Sequence, residues 1–407
     1  MRKFLQSELS HFYLLSSKTR LLLISFILQG AASALFGIFV NAYIWQSRGD
    51  LLSVLLYNLG DIIALPLFFY INGILLKRIH IQILYFIGAL CIGISSLLVV
   101  FYTWFNPAAY LVYGLLFGIG HGLYWANRNL LTLQETESKT RNYFIGINYA
   151  CDFITSILIP FITGWFIALG AQLHLIVHKT SYGISMVVAL ILLFLSGSLL
   201  LRQKYDKERI TNVHLVNPTL RWWKVRLLMV GMGMAESASI FLPTVLVLIH
   251  LGNEGILGSL NAVVSILSAI AMYLFGRLAH VRHRKSFLLF SIIMGIAGSL
   301  ILTLYQTNIG VVLYICINSF AVMAMWLAGE PMMLDIVDEE RIRGSTEKYA
   351  FVFDRELFLN IGRVLIFTLC IGLLKFGGIT DVFLLFPLVS WISLLGIAVF
   401  IKIPLHP

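Results

Sequence analysis

Polar and apolar positions do not alternate along this chain with the period of a half-buried strand or of an ordinary amphipathic helix. Instead, long and nearly unbroken apolar runs are separated by short polar breaks. The runs fall at residues 21–45, 51–76, 81–104, 109–131, 143–170, 181–201, 224–249, 255–279, 286–306, 310–334, 349–374 and 379–403. Each is long enough to cross the hydrocarbon core as a helix, which takes about 20 residues. No ten-residue alternating segments occur, so a transmembrane barrel is not expected. The expectation is an all-α membrane protein of about twelve transmembrane helices.

The longest polar break, from Arg202 to Arg221, divides the runs six and six. We therefore expect an N-terminal six-helix bundle over residues 1–202, a cytoplasmic linker over 203–222 and a C-terminal six-helix bundle over 223–407. The halves echo each other. Trp125 and Tyr143 flank a charged loop in the first half, as Trp326 and Tyr349 do in the second. Two parallel six-helix repeats place a solute site near mid-membrane between them.

Composition agrees with lipid as the solvent. Hydrophobic residues make up 59% of the 407 positions and charged residues only 12%, against about 25% charged in soluble domains. The formal charge of +10 would raise the question of nucleic acid in a soluble protein. Here the positives mark orientation. With the N-terminus in the cytoplasm, Arg48, Lys179 and Lys375 fall outside and Arg128, Arg355 and Arg363 lie within helices. The other 23 of the 29 Lys and Arg residues are then cytoplasmic. Both termini are expected there. No nucleic-acid partner is expected, and the chain is expected to act as a monomer. The first run is too long for a signal-peptide core and is expected to be a retained helix; the short loops and the lack of a visible eukaryotic targeting signal suggest a bacterial inner membrane. The four cysteines, Cys91, Cys151, Cys316 and Cys370, lie in apolar runs without a CxxC pair. Neither a disulfide framework nor a zinc site is indicated, and His174 and His178 read as a solvated pair. No metal and no cofactor is expected. No G-x-x-x-x-G-K-[ST] motif supports an ATP-driven pump.

The loop after the second run carries Gly73, Leu75, Leu76, Lys77 and Arg78. The loop after the eighth carries Gly276, Leu278, Ala279, His280, Arg284 and Lys285. With the six-plus-six layout, these resemble the signature of the major facilitator superfamily, roughly G-x-L-a-D-R-x-G-R-R after helix 2 and often repeated after helix 8. Lys77 and His280 replace the usual Asp. The resemblance spans nearly the whole chain and implies a secondary transporter whose central cavity is lined by helices 1, 4, 7 and 10. The Gly-Pro-x-x-Gly-Gly pattern of the superfamily's antiporters is only partly kept around Pro160 and Gly164, because Ile159 and Thr163 replace two glycines.

Ionisable residues inside a bilayer are expensive and are functional candidates by default. Glu236, in helix 7, lies near mid-membrane and is a proton-coupling candidate together with Asp61 and Asp152. Arg128, within Tyr124, Trp125 and Asn127 of helix 4, has a planar fork suited to an anionic solute or to a gate. Glu330, before Pro331, is a second gate candidate. Arg363 lies deep in helix 11 and needs a partner; the repeat places helix 11 opposite helix 5 and suggests an ion pair between halves. Asp354, Arg355 and Glu356, one to two turns into helix 11, suggest a cytoplasmic gating or structural network. The reading that results is a proton-coupled secondary transporter of a small solute, and a drug or metabolite efflux antiporter of the same fold is the alternative. A non-transporting receptor and an intramembrane enzyme are less well supported, since no nucleophile–base pair and no HExxH cluster occurs.

Overall fold

A computed structural model describes residues 12, 15–102, 106–135, 138–205, 210, 212–215, 218–278, 284–343 and 348–401. Among them run twelve long helices: α1 (Ser17–Arg48), α2 (Leu51–Leu75), α3 (Ile81–Phe101), α4 (Ala108–Glu135), α5 (Ser138–Gln172), α6 (His178–Leu201), α7 (Leu220–His250), α8 (Glu254–Leu278), α9 (Arg284–Leu304), α10 (Asn308–Arg343), α11 (Lys348–Phe376) and α12 (Ile379–Phe400). No strand occurs among the described residues. Eleven of the helices are long and apolar enough to cross a membrane. α4 falls short because glycines, tyrosines and His121 dilute its hydropathy.

The turns are chemically specified. After α1, Gly49 adopts the left-handed conformation (φ 66°) and its N–H caps the Trp45 carbonyl, a close that glycine makes without steric penalty. Asp50 then starts α2 by accepting from the Ser53 backbone N–H, and Thr219 does the same for α7 at Trp222. Such caps satisfy amides that a helix start leaves orphaned.

The helix contacts repeat with an offset of six. In the first half α1 packs on α5 and α6, α3 on α4 and α6, and α2 on α4. In the second, α7 packs on α11 and α12, α9 on α10 and α12, and α8 on α10. These are two pseudo-symmetric six-helix bundles. The bundle interiors are mainly apolar, and large apolar side chains also cover the outer surface, as contact with lipid permits. Leu158, Ile162, Ile270 and Ile293 are exposed on the surface. Inside, Ser25, Tyr85 and Ser196 bond α1, α3 and α6 together. Asn72 and Asn127 exchange amide hydrogen bonds between α2 and α4. Asn318 joins α10 to α12 through Trp391 and to α7 through Ser239.

The halves meet along two main seams, α5 against α8 and α2 against α11, with α1 touching α7. We call the face where α1 begins proximal and the opposite face distal. The α5–α8 seam closes the distal half. The Gly258 backbone lies against the Pro160 carbonyl, and Gly164 against that of Glu254. Trp165 donates to Ser259 at 3.0 Å and Asn261 to the Ser156 carbonyl at 3.1 Å. Asn41 of α1 donates to the Ile240 carbonyl of α7. Further toward the proximal face, the Tyr349 hydroxyl of α11 donates to the Phe69 carbonyl of α2 at 2.6 Å, and Tyr349 also fills the space against Gly73.

Candidate functional site

A cavity of about 760 Å³ opens between α4 and α5 of the first half and α10 and α11 of the second, with Phe26 of α1 and Met272 of α8 on its wall. Its lining reaches Thr132, Ile145, Val337 and Phe351, near the proximal ends of these helices. A smaller chamber of about 370 Å³ continues toward the distal side past Gly30, Ser33 and Pro160, sharing Trp125, Arg128 and Asp152 with the first. The α5–α8 seam closes it beyond that point.

Each half contributes one charged group to this space. On the first, the Arg128 guanidinium lies 4.8 Å from the Trp125 ring centre and 5.2 Å from that of Phe26. Its Nη2 is 3.4 Å from Asp152 Oδ2, an atom that also accepts from Asn148 at 2.9 Å. The Arg128–Asp152 contact is long for a charge-assisted bond, so much of the fork faces aromatic rings instead of its carboxylate. On the opposite wall Arg355 donates to Glu330 at 3.3 Å and to Glu356 through both Nε and Nη2. Tyr149, 56% exposed, stands between the two groups and interacts electrostatically with both. Tyr124 is buried beneath Arg128, and Asn127 is buried against α2, away from the cavity.

The remaining intramembrane charges form separate sites. Glu236 accepts from Arg363 at 2.6 Å and from Trp326 at 3.3 Å. The ion pair that the repeat suggests between halves is therefore made within the second half: α7 and α11 pack directly on each other, which brings Glu236 within reach of Arg363. Asp354 takes the structural alternative of the expected gating or structural network. It points away from the cavity and takes two hydrogen bonds from Arg226, at 2.8 and 2.6 Å, and one from Trp222, all buried. It locks α11 to α7, while its neighbour Arg355 faces the cavity. Asp61 pairs with His121 of α4, whose Nδ1 lies 3.1 Å from Asp61 Oδ1.

Of the signature loops, Arg78 and Lys285 are exposed, and Arg284 bonds to Asp335 of α10. Gly276 lies in α8, and His280 lies outside the described residues. His178 is no lone surface histidine. It pairs at 3.0 Å with Glu254 at the start of α8, and Glu254 also accepts from Tyr182 at 2.8 Å, tying the distal end of α6 to the second half. Among the described residues no cluster suits a metal ion.

Sequence reasoning missed His121, Arg226 and Glu254. Arg226 and Glu254 sit at run edges, where they read as loop charges. His121 lies inside a run, and an intramembrane histidine is as informative as a carboxylate.

The model of the Major Facilitator Superfamily matches residues 21–346. The chain belongs to the major facilitator superfamily. It is a secondary transporter, not an enzyme, and a multi-pass membrane protein. Over 357 residues it is 26% identical to the uncharacterized protein YqgE of Bacillus subtilis (strain 168), covering 84% of this chain and 80% of that protein. Over 108 residues it is 36% identical to an uncharacterized protein in the sodM 3' region of Geobacillus stearothermophilus, covering 26% of this chain and 50% of that one. The fold is that of a bacterial homologue of the human lysosomal transporter Spinster, crystallised in an inward-facing and unoccupied conformation. The TM-score is 0.62 at 11% identity, over 94% of this chain and 95% of that one.

Proposed function

We propose that this superfamily member moves a small amphipathic solute carrying a charged group across a bacterial plasma membrane by alternating access, driven by protons. The observation that carries the reading is the cavity itself. It is lined largely by apolar and aromatic side chains, holds one charged group from each half, and is closed distally where α5 meets α8. The charge bias of the loops puts the proximal face in the cytoplasm, so the cavity faces inward in this state. Rocking the halves about the solute would bring Arg128–Asp152 and Glu330–Arg355 together while the α5–α8 seam parts. The chain encloses the whole cavity, so a monomer suffices.

The carboxylates Glu236, Asp61 and Asp152 remain candidates for proton binding. Each lies at a paired site whose charge changes with one proton. The aromatic lining of Phe26, Trp125, Phe144 and Phe153 favours export of an amphipathic compound in exchange for protons as the second reading. The test is reconstitution into liposomes with a panel of zwitterionic, anionic and cationic amphiphiles and an imposed pH gradient. One class should accumulate only while the gradient lasts. If no solute of any class moves with or without the gradient, the transport reading fails.

A further inference from the structure

The two charged groups on the cavity wall differ in what they leave open. Arg355 is fully engaged: Nη1 donates to Glu330, and Nε and Nη2 donate to Glu356. Arg128 reaches its carboxylate through Nη2 alone, at the long distance of 3.4 Å, and otherwise lies over the rings of Trp125 and Phe26. Asp152 is half-used in the same way. Oδ2 takes the contacts with Arg128 and Asn148, whereas Oδ1 accepts no hydrogen bond among the described residues. Oδ1 lies against Gly30 of α1, on the wall of the smaller chamber. A Cβ at Gly30 would collide with it, so the absence of a side chain there keeps this oxygen open. The two side chains are 16% and 30% exposed. Arg128, Asp152 and Trp125 line both chambers, so the unused donors and the unused acceptor stand where the chambers join.

We propose that Arg128 and Asp152 bind a zwitterionic headgroup whose ammonium and carboxylate share one carbon, as in an α-amino acid. The carboxylate takes the unused donors of Arg128, and the ammonium takes Asp152 Oδ1. This rests on the transport reading and names its solute class. Spacing selects the headgroup. Arg128 Nη2 and Asp152 Oδ2 are 3.4 Å apart, so the two charges that bind this pair must also be close together. Charge balance excludes the simpler solutes. An anion alone would draw Arg128 away and leave Asp152 without a cation in a region of low dielectric; a cation alone would do the converse to Arg128. Removing one partner from a largely buried ion pair is strongly unfavourable. A zwitterion gives each group a new partner, and no charge is left uncompensated. The apolar remainder of the solute lies in the larger cavity, over Phe26, Phe144 and Phe153. The smaller chamber, of about 370 Å³, is walled by Ser33, Ala34 and Thr155 and takes at most a compact group.

The test is calorimetric binding of aromatic probes to the purified full-length protein in lipid nanodiscs. The probes are phenylalanine, 3-phenylpropionate, which lacks the ammonium, and 2-phenylethylamine, which lacks the carboxylate. A further probe, 4-(aminomethyl)phenylacetate, is an isomer of phenylalanine with its charges at opposite ends of the ring. Phenylalanine should bind at least about tenfold more tightly than each of the others, since buried polar groups reject analogues that leave them unpaired. Asp152→Asn, nearly isosteric, should bring phenylalanine level with 3-phenylpropionate, and Arg128→Gln should bring it level with 2-phenylethylamine. A purely structural ion pair would not give this reciprocal pattern. Gly30→Ala should weaken phenylalanine and 2-phenylethylamine and spare 3-phenylpropionate, because it covers Asp152 Oδ1. A wild-type protein that binds a singly charged probe or the isomer as tightly as phenylalanine, or binds none of these probes, overturns the proposal whatever the variants do. If a singly charged amphiphile crosses the liposome membrane while phenylalanine does not bind, the zwitterion inference falls and the transport reading stands. If phenylalanine binds as expected but no solute of any class moves, the site stands and the transport reading falls.

Discussion

A valine at Gly258 should drive the protein out of the state described here. A Cβ at this position would lie 2.8 Å from the Pro160 carbonyl carbon and 3.3 Å from Phe161 Cα. Carbon atoms in favourable contact sit about 3.5–4.0 Å apart, so α8 must retreat from α5 by roughly an ångström for the first added carbon and further for the branched pair. The retreat pulls on the two hydrogen bonds that cross the seam, Trp165 to Ser259 and Asn261 to the Ser156 carbonyl. Each is worth roughly 0.5–1.5 kcal/mol, so the distally closed state loses about 1–3 kcal/mol. Every 1.4 kcal/mol is about a tenfold change in an equilibrium constant, which makes the shift in population roughly fivefold to 150-fold. Spin labels on cysteines placed at Leu175, between α5 and α6, and at Phe376, at the end of α11, report the distal opening in a background lacking the four native cysteines. Gly258→Val should add a longer-distance population. Gly396→Val, where an added Cβ meets nothing within 4 Å, should not. Matching distance distributions for the two variants would refute the idea that backbone closeness at the α5–α8 seam holds the distal face shut.

Asp354→Asn should destabilise the second bundle by roughly 3–5 kcal/mol, the usual penalty for orphaning a buried charge. This would be read as a lower thermal midpoint in detergent, and a variant melting with the wild type would show that the Arg226 pair is dispensable. Arg128→Lys keeps the charge but loses the planar fork and its stacking on Trp125; transport of whichever solute the liposome panel identifies should drop at least about tenfold, and full activity would remove Arg128 from the solute site. Single cysteines introduced at Arg48 and Lys179 should react with an impermeant thiol reagent added to intact cells, whereas one at Lys204 should not. Labelling at Lys204 would invert the orientation on which the inward-facing reading depends.

The helices were legible because apolar length is a direct consequence of lipid as solvent. Their ends were less so. The run over 310–334 becomes a helix from Asn308 to Arg343, since hydropathy reports where lipid stops and not where helical hydrogen bonding stops. Beyond the apolar run, α10 continues through Asp335, Glu339 and Glu340, which are held by Arg284, Arg221 and Thr219. α5 likewise starts at Ser138, ahead of its apolar run. Intramembrane charges could be located but not paired. Asp354 and Arg355 are chain neighbours with opposite fates, because successive residues on a helix point about 100° apart. The partner of Arg363 was unreadable because a sequence repeat aligns equivalent helices and does not say which of them touch.

The glycines of α4 bear on how this protein is made. Gly114 and Gly118 press against the backbone of α2, and Gly120 against that of α3, and the same residues leave α4 too weakly apolar to stand among the eleven clear spans. Such a segment gains less by entering lipid alone than the other eleven do. It gains a great deal by entering beside partners shaped to receive it, and α3 emerges from the ribosome immediately before it. α3 and α4 should thus pass from the translocon into the bilayer as a hairpin, with α2 waiting, and a bulky residue at Gly120 should be felt first during biogenesis, as an α4 left stranded on the wrong side of the membrane.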